Sequence, residues 1–118
     1  MVAATGVHLV DTVEVAPEDV GDYLELVGGL GVTVMSEAGA TLAWCATTPA
    51  GMGEDVAVQV AWRVHGFERW NEIRRNLVLD PRWYRFAQAA ARLRRGGTRR
   101  FFTPVALGAE RSEPPPPA

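Results

Sequence analysis

Between Val56 and Val64 an apolar side chain returns at every second residue: Val56, Val58, Val60, Trp62 and Val64. A period of two marks an extended strand with one buried face, because successive side chains of a strand point to opposite sides. The other face holds Ala57, Gln59, Ala61, Arg63 and His65. One strand cannot bury five apolar positions by itself, so the chain must build a sheet and cover at least one side of it.

The same alternation occurs in Val7 to Val15, with Val7, Leu9, Asp11, Val13 and Val15 on one face and His8, Val10, Thr12 and Glu14 on the other. Ala40 to Thr48 reads as a further strand, joined to Val56–His65 through the Pro49–Gly53 turn as an antiparallel hairpin. After the first strand, Pro17 with Glu18, Asp19 and Asp22 opens a helix, since negative charge favours the positive end of its dipole. Val20, Tyr23, Leu24, Val27 and Leu30 make its stripe, and Gly28, Gly29 and Gly31 are expected to fray, bend or stop it. Phe67, Trp70, Ile73 and Leu77 have helical spacing, and Trp83, Phe86, Ala87, Ala90 and Leu93 have it again. Asp80-Pro81 separates the two pieces, and Gly96-Gly97 is expected to end the second. Phe101 to Leu107 reads as the last strand. The order strand, helix, strand, strand, helix, strand predicts an α+β, ferredoxin-like βαββαβ fold with both helices on one face. The uncovered face is then an association surface, for which a second copy of the chain is the commonest partner.

With 118 residues there is room for one domain, expected over residues 1–107. The Pro-rich tail, 108–118, is expected to be extended and disordered. No stretch approaches the roughly 18 apolar residues of a membrane span, and no basic residue precedes an apolar run at the N-terminus, so a cytoplasmic location is expected. The net charge of −2 argues against a nucleic-acid partner. Arg92, Arg94, Arg95, Arg99 and Arg100 are clustered, and read as cations facing the negative end of a helix dipole. Every basic residue is Arg, which excludes lysine Schiff-base chemistry. Cys45, the single cysteine, stands in an apolar run and reads as a buried, inert thiol. His8 and His65 make a poor metal site, so no metal is expected, and both fall on the side away from the helices. No phosphate loop, serine elbow or Cys–His pair is present.

Asp11 is the anomaly of the first strand, a carboxylate on a face otherwise made of Val7, Leu9, Val13 and Val15. Buried there, it needs a partner or a raised pKa, and beside a cavity it suits proton transfer. Arg82 and Arg85 are the expected partners. The alternative is a structural ion pair or a place near an open sheet edge. Four indoles, Trp44, Trp62, Trp70 and Trp83, exceed what packing a small chain requires. Trp62, Trp70 and Trp83 are candidates for the walls of an apolar slot, and Trp44 for core or interface.

Three segments, Val60-Ala61-Trp62, Asp80-Pro81-Arg82 and Phe101-Phe102-Thr103-Pro104, together with the element order, resemble the dimeric α/β barrel superfamily and, within it, the antibiotic biosynthesis monooxygenase family. The divided second helix is also similar to the NIPSNAP-type branch. The resemblance covers about residues 7–107. It implies a homodimer and a cofactor-independent monooxygenase that oxidises a phenolic ring of an aromatic or polyketide-type intermediate to a quinone, without metal or flavin. Cyclase, dehydratase or isomerase chemistry in the same pocket, or ligand binding without catalysis, are the alternatives. By resemblance Trp62 and Arg82 lie at the substrate cavity; from the residues themselves Asp11 is expected to move a proton, and Trp70, Trp83, Arg85 and Phe67 to contact substrate. The family's strand asparagine falls near Val58, and its helix tyrosine near Phe67 or Glu68, so both polar groups differ here.

Overall fold

The computed structural model describes residues 6–49, 51 and 53–107. The expected 108–118 tail lies outside the described residues. Four strands, β1 (Val7–Val15), β2 (Thr41–Thr47), β3 (Val56–Val64) and β4 (Arg94–Phe102), form one antiparallel sheet in the order β2-β3-β1-β4. With α1 (Val20–Leu26), α2 (Val32–Ala38), α3 (Phe67–Leu77) and α4 (Pro81–Leu93) on one face, this is the expected ferredoxin-like arrangement.

The central pair carries the core. β1 and β3 pair Leu9 with Trp62, Val13 with Val58 and Val15 with Val56, stacking the two apolar faces under the helices. Leu9, Val15, Val58, Val64 and Ile73 are wholly buried. Each such side chain contributes roughly 1.5–3 kcal/mol relative to exposure.

Three local features depart from the expectation. The glycines after α1 do not stop the helix. Val27–Gly31 forms a π-helical turn that runs directly into α2, and Gly39, at φ 115°, ends the rod in the left-handed conformation glycine adopts without strain. Gly31 is required for another reason: a Cβ there would lie 2.9 Å from Cε1 of Phe86, so the glycine lets α4 press against the π turn. Gly96-Gly97 likewise does not follow a helix with a loop. α4 ends at Leu93 and β4 starts at Arg94, earlier than the expected Phe101, so four of the five clustered arginines lie on the edge strand and only Arg92 in the last helical turn. A Cβ on Gly97 would approach the Thr12 carbonyl oxygen to 2.9 Å, which explains the glycine by the closeness of β1.

The third concerns Cys45, which is exposed on the edge strand β2 rather than buried. The part of the thiol turned to the sheet is still desolvated enough to push its pKa up, so it stays a thiol at neutral pH.

Asp80-Pro81 does divide the second helical region. Asp80 caps α4 by accepting from the Arg82 backbone N–H at 2.9 Å, and Pro81 occupies the first helical position, where no N–H is needed.

Candidate functional site

A cleft of about 440 Å³ opens between the β1–β4 edge of the sheet and helices α1 and α4. That volume falls in the roughly 300–1,000 Å³ range of small-molecule sites. It exists because α4 presents Ala87, Ala90 and Ala91 towards a strand that presents Gly97, and small residues facing each other leave space. Trp83 and Phe86, one helical step apart, stack at 5.5 Å with 29° between their planes and form an aromatic wall.

The polar groups enter from the sheet and from α1. Asp11 stands opposite Arg99 in the β1–β4 register, both on the helix-facing side. Arg99 Nε donates to Asp11 Oδ1 at 2.6 Å and Nη2 to Oδ2 at 3.1 Å, a fork-on-carboxylate pair that neutralises the charge left on an apolar face. Arg82 and Arg85 are not the partners, because the chain turns from α4 straight into β4 and brings Arg99 to the site first. Tyr23 on α1, almost wholly buried, faces the same cleft. Burial, then the negative charge of Asp11, raises the Tyr23 pKa, against which Arg94 and Arg99 act in the opposite direction. The phenol therefore keeps its proton at neutral pH and is available as a hydrogen-bond donor.

Of the residues expected at the site, Asp11 and Trp83 line this cleft. Trp62 is a core residue, 3% exposed, at the centre of the sheet. Trp70 is also buried, with the Arg99 guanidinium 5.8 Å from its ring centroid, so it backs the Asp11–Arg99 pair. Phe67 is exposed and meets Phe101 edge-on at 5.0 Å. Arg85 is exposed on α4. Arg82 bridges Asp80, at 2.7 Å, and Glu37 of α2, also at 2.7 Å, which ties the start of α4 to α2. Its guanidinium holds both carboxyls below their usual range and is itself pushed up by them.

Tyr23, Phe86, Arg94 and Arg99 line the cleft without having been expected there. A signal existed for Tyr23, the one polar-tipped member of the α1 stripe. None existed for Arg99, whose strand lacks apolar alternation.

The face of the sheet turned away from the helices holds a different set of groups. Trp44 Nε1 donates to Gln59 Oε1 at 3.0 Å, and the Trp44 ring lies 5.3 Å from that of His8, which is buried. Among the described residues no group of three or more His, Cys, Asp or Glu could hold a metal ion, and no helix is long and apolar enough to cross a membrane.

The fold and the cleft define a ferredoxin-like α+β chain with a small-molecule-sized, aromatic-walled site between helices and sheet. Among solved structures it is similar to a NIPSNAP family protein from Agrobacterium tumefaciens str. C58, with 19% identity over 92% of this chain and 93% of that one and a TM-score of 0.74. It is similar also to an uncharacterized NIPSNAP domain protein from Burkholderia xenovorans, with 19% identity, 88% and 99% covered and a TM-score of 0.72. SnoaB, a cofactor-independent oxygenase from Streptomyces nogalater, matches with 14% identity, 91% and 100% covered and a TM-score of 0.62. At these identities the likeness establishes the shared fold, in agreement with the sequence resemblance. No protein-family model and no curated protein matches the sequence.

Proposed function

We propose that this chain binds a planar aromatic or polyketide-type small molecule in the α1–α4 cleft and oxygenates it without metal or flavin. The observation that carries the reading is the cleft itself, with a Trp83–Phe86 wall on one side and Asp11, Arg99 and the protonated Tyr23 on the other. The wall stacks a ring. Tyr23 donates to a carbonyl or phenolate oxygen, Arg99 offsets the negative charge that grows on the ring, and Asp11 accepts the proton that leaves. Trp70 and Trp62 hold the sheet side in place, and Arg82 fixes the start of α4.

Oxygenation is favoured over other proton-transfer chemistry by the likeness to a cofactor-independent oxygenase. For an anthrone the step balances as follows. The ring carbanion left by proton loss gives its electrons to O₂, one oxygen atom becomes the new quinone carbonyl, and the other leaves as water with the two hydrogens of the oxidised carbon.

Oxygen uptake on adding anthrone to the purified chain tests this. The expected result is one O₂ consumed per quinone formed, with Asp11→Asn at least tenfold slower, about 1.4 kcal/mol of barrier. Binding without uptake above background would refute oxygenation. A product of unchanged mass would then assign the cleft to isomerisation, and no turnover would assign it to ligand binding.

We also propose that two copies pair through the sheet face turned away from the helices, where Trp44 is half-buried and lies against His8. Light scattering is expected to give the dimer mass, and Trp44→Asp the monomer; a monomeric wild type would refute the pairing.

A further inference from the structure

The β1–β4 ladder runs in step from His8 opposite Phe102 to Glu14 opposite Gly96, then slips so that Val15 faces Arg94. Arg95 is the extra residue of this bulge. In the regular part of the ladder Gly97 and Arg99 share the helix-facing side with Val13 and Asp11. Unbroken alternation would send Arg95 to that side and Arg94 away from it. The bulge reverses the assignment: Arg94, opposite the buried Val15, lines the cleft, while Arg95 pairs with Asp55 at 3.3 Å. Bulges beside binding sites commonly re-aim one side chain in this way.

The charges of the cleft then do not cancel. Asp11 and Arg99 neutralise each other at 2.6 Å. Arg94 has no carboxylate partner among the described residues, and every other lining residue is uncharged. An arginine after a helix also faces the negative end of the dipole, but that interaction leaves its guanidinium donors free. An unneutralised, solvent-exposed arginine thus stands at the rim of an aromatic slot that Tyr23 also lines. A planar fork of N–H donors matches a carboxylate.

We propose that the cleft selects an aromatic acid, its carboxylate held by Arg94 and the Tyr23 hydroxyl and its rings lying against Trp83 and Phe86. This rests on the reading of the cleft as the ligand site, and names the class of ligand that site takes.

Calorimetric titration of the full chain with anthraquinone-2-carboxylate and with anthraquinone-2-carboxamide tests it. The wild type is expected to bind the acid at least tenfold tighter than the amide. Arg94→Gln removes that preference by weakening the acid at least tenfold more than the amide, whereas Arg94→Lys retains most of it. An unchanged near-ultraviolet circular dichroism spectrum shows that each variant is folded. Equal wild-type affinities, or a preference that persists in Arg94→Gln, would overturn the proposal. In that event weakening of both ligands by Trp83→Ala leaves the cleft standing as the site. If neither ligand binds the wild type, or Trp83→Ala changes neither affinity, the cleft reading falls and this proposal with it.

Discussion

Replacing Arg99 by methionine keeps the length of the side chain and removes its guanidinium, leaving the Asp11 carboxylate without its two donors at 2.6 and 3.1 Å. The Asp11 side chain is 19% exposed and that of Arg99 is 45% exposed. Fully exposed pairs contribute about 0.2–1 kcal/mol, and breaking a fully buried one costs about 3–5 kcal/mol. With nearly half of the arginine in water, this pair falls near the lower range, raised by its bidentate geometry and the shielded carboxylate. The expected loss is about 1–1.5 kcal/mol. Asp11→Asn is expected to cost a similar amount, and the double variant less than the sum, with a coupling energy of about 1 kcal/mol. Urea unfolding of the four proteins measures this, with the slope unchanged so that midpoints report stability. A coupling below about 0.3 kcal/mol would show that the two groups do not hold each other, and would remove the fixed polar wall from the account of the cleft.

Three further outcomes follow from other parts of the fold. Gly97→Ala forces a methyl against the backbone of β1, which the sheet ladder holds in place, and is expected to cost about 1–3 kcal/mol by thermal or urea unfolding; a neutral effect would show that β4 can shift away. Burial pushes the Tyr23 phenol above its ordinary 10.0, so in Tyr84→Phe protein the phenolate absorbance at 295 nm is expected to rise with its midpoint above pH 10. Because the folded state then holds a proton that the unfolded state has released, stability is intact below pH 10 and falls as pH rises through the folded value; a midpoint at or below 10 would contradict the buried placement. Arg82→Ala is expected to lower thermal stability, and its loss of the lowered Asp80 and Glu37 pKa values reduces stability above pH 4–5 but not in stronger acid, while ligand affinity in the cleft stays unchanged; a large loss of affinity would return Arg82 to the site.

What the sequence revealed follows from where burial imposes a pattern. β1 and β3 are central strands with one face under the helices, so their valines alternate and both could be read residue by residue. Asp80-Pro81 was equally legible, since proline restricts the backbone by itself. β4 could not be read in the same way. It is an exposed edge strand, so Arg94-Arg95-Gly96-Gly97 carries no apolar alternation, and its pairing is decided by the ladder with β1. The wrong partner for Asp11 followed from that, because arginines assigned to a helix end could not be set opposite it. Gly31 shows the same limit, where a glycine that permits contact with Phe86 looks in sequence like one that ends a helix. Trp62 was assigned to the pocket both as an indole at the end of its strand and by resemblance, although its alternation with Val58, Val60 and Val64 places it in the core.

Binding of an aromatic ligand between α4 and the β1–β4 edge is read out by amide chemical-shift mapping of the full chain on titration with anthraquinone-2-carboxylate. Saturating shifts are expected at Tyr23, Trp83, Phe86 and Gly97, with Trp44 and Gln59 on the opposite face of the sheet unmoved. Shifts centred on Trp44 and Gln59, or none at saturating ligand, would contradict it.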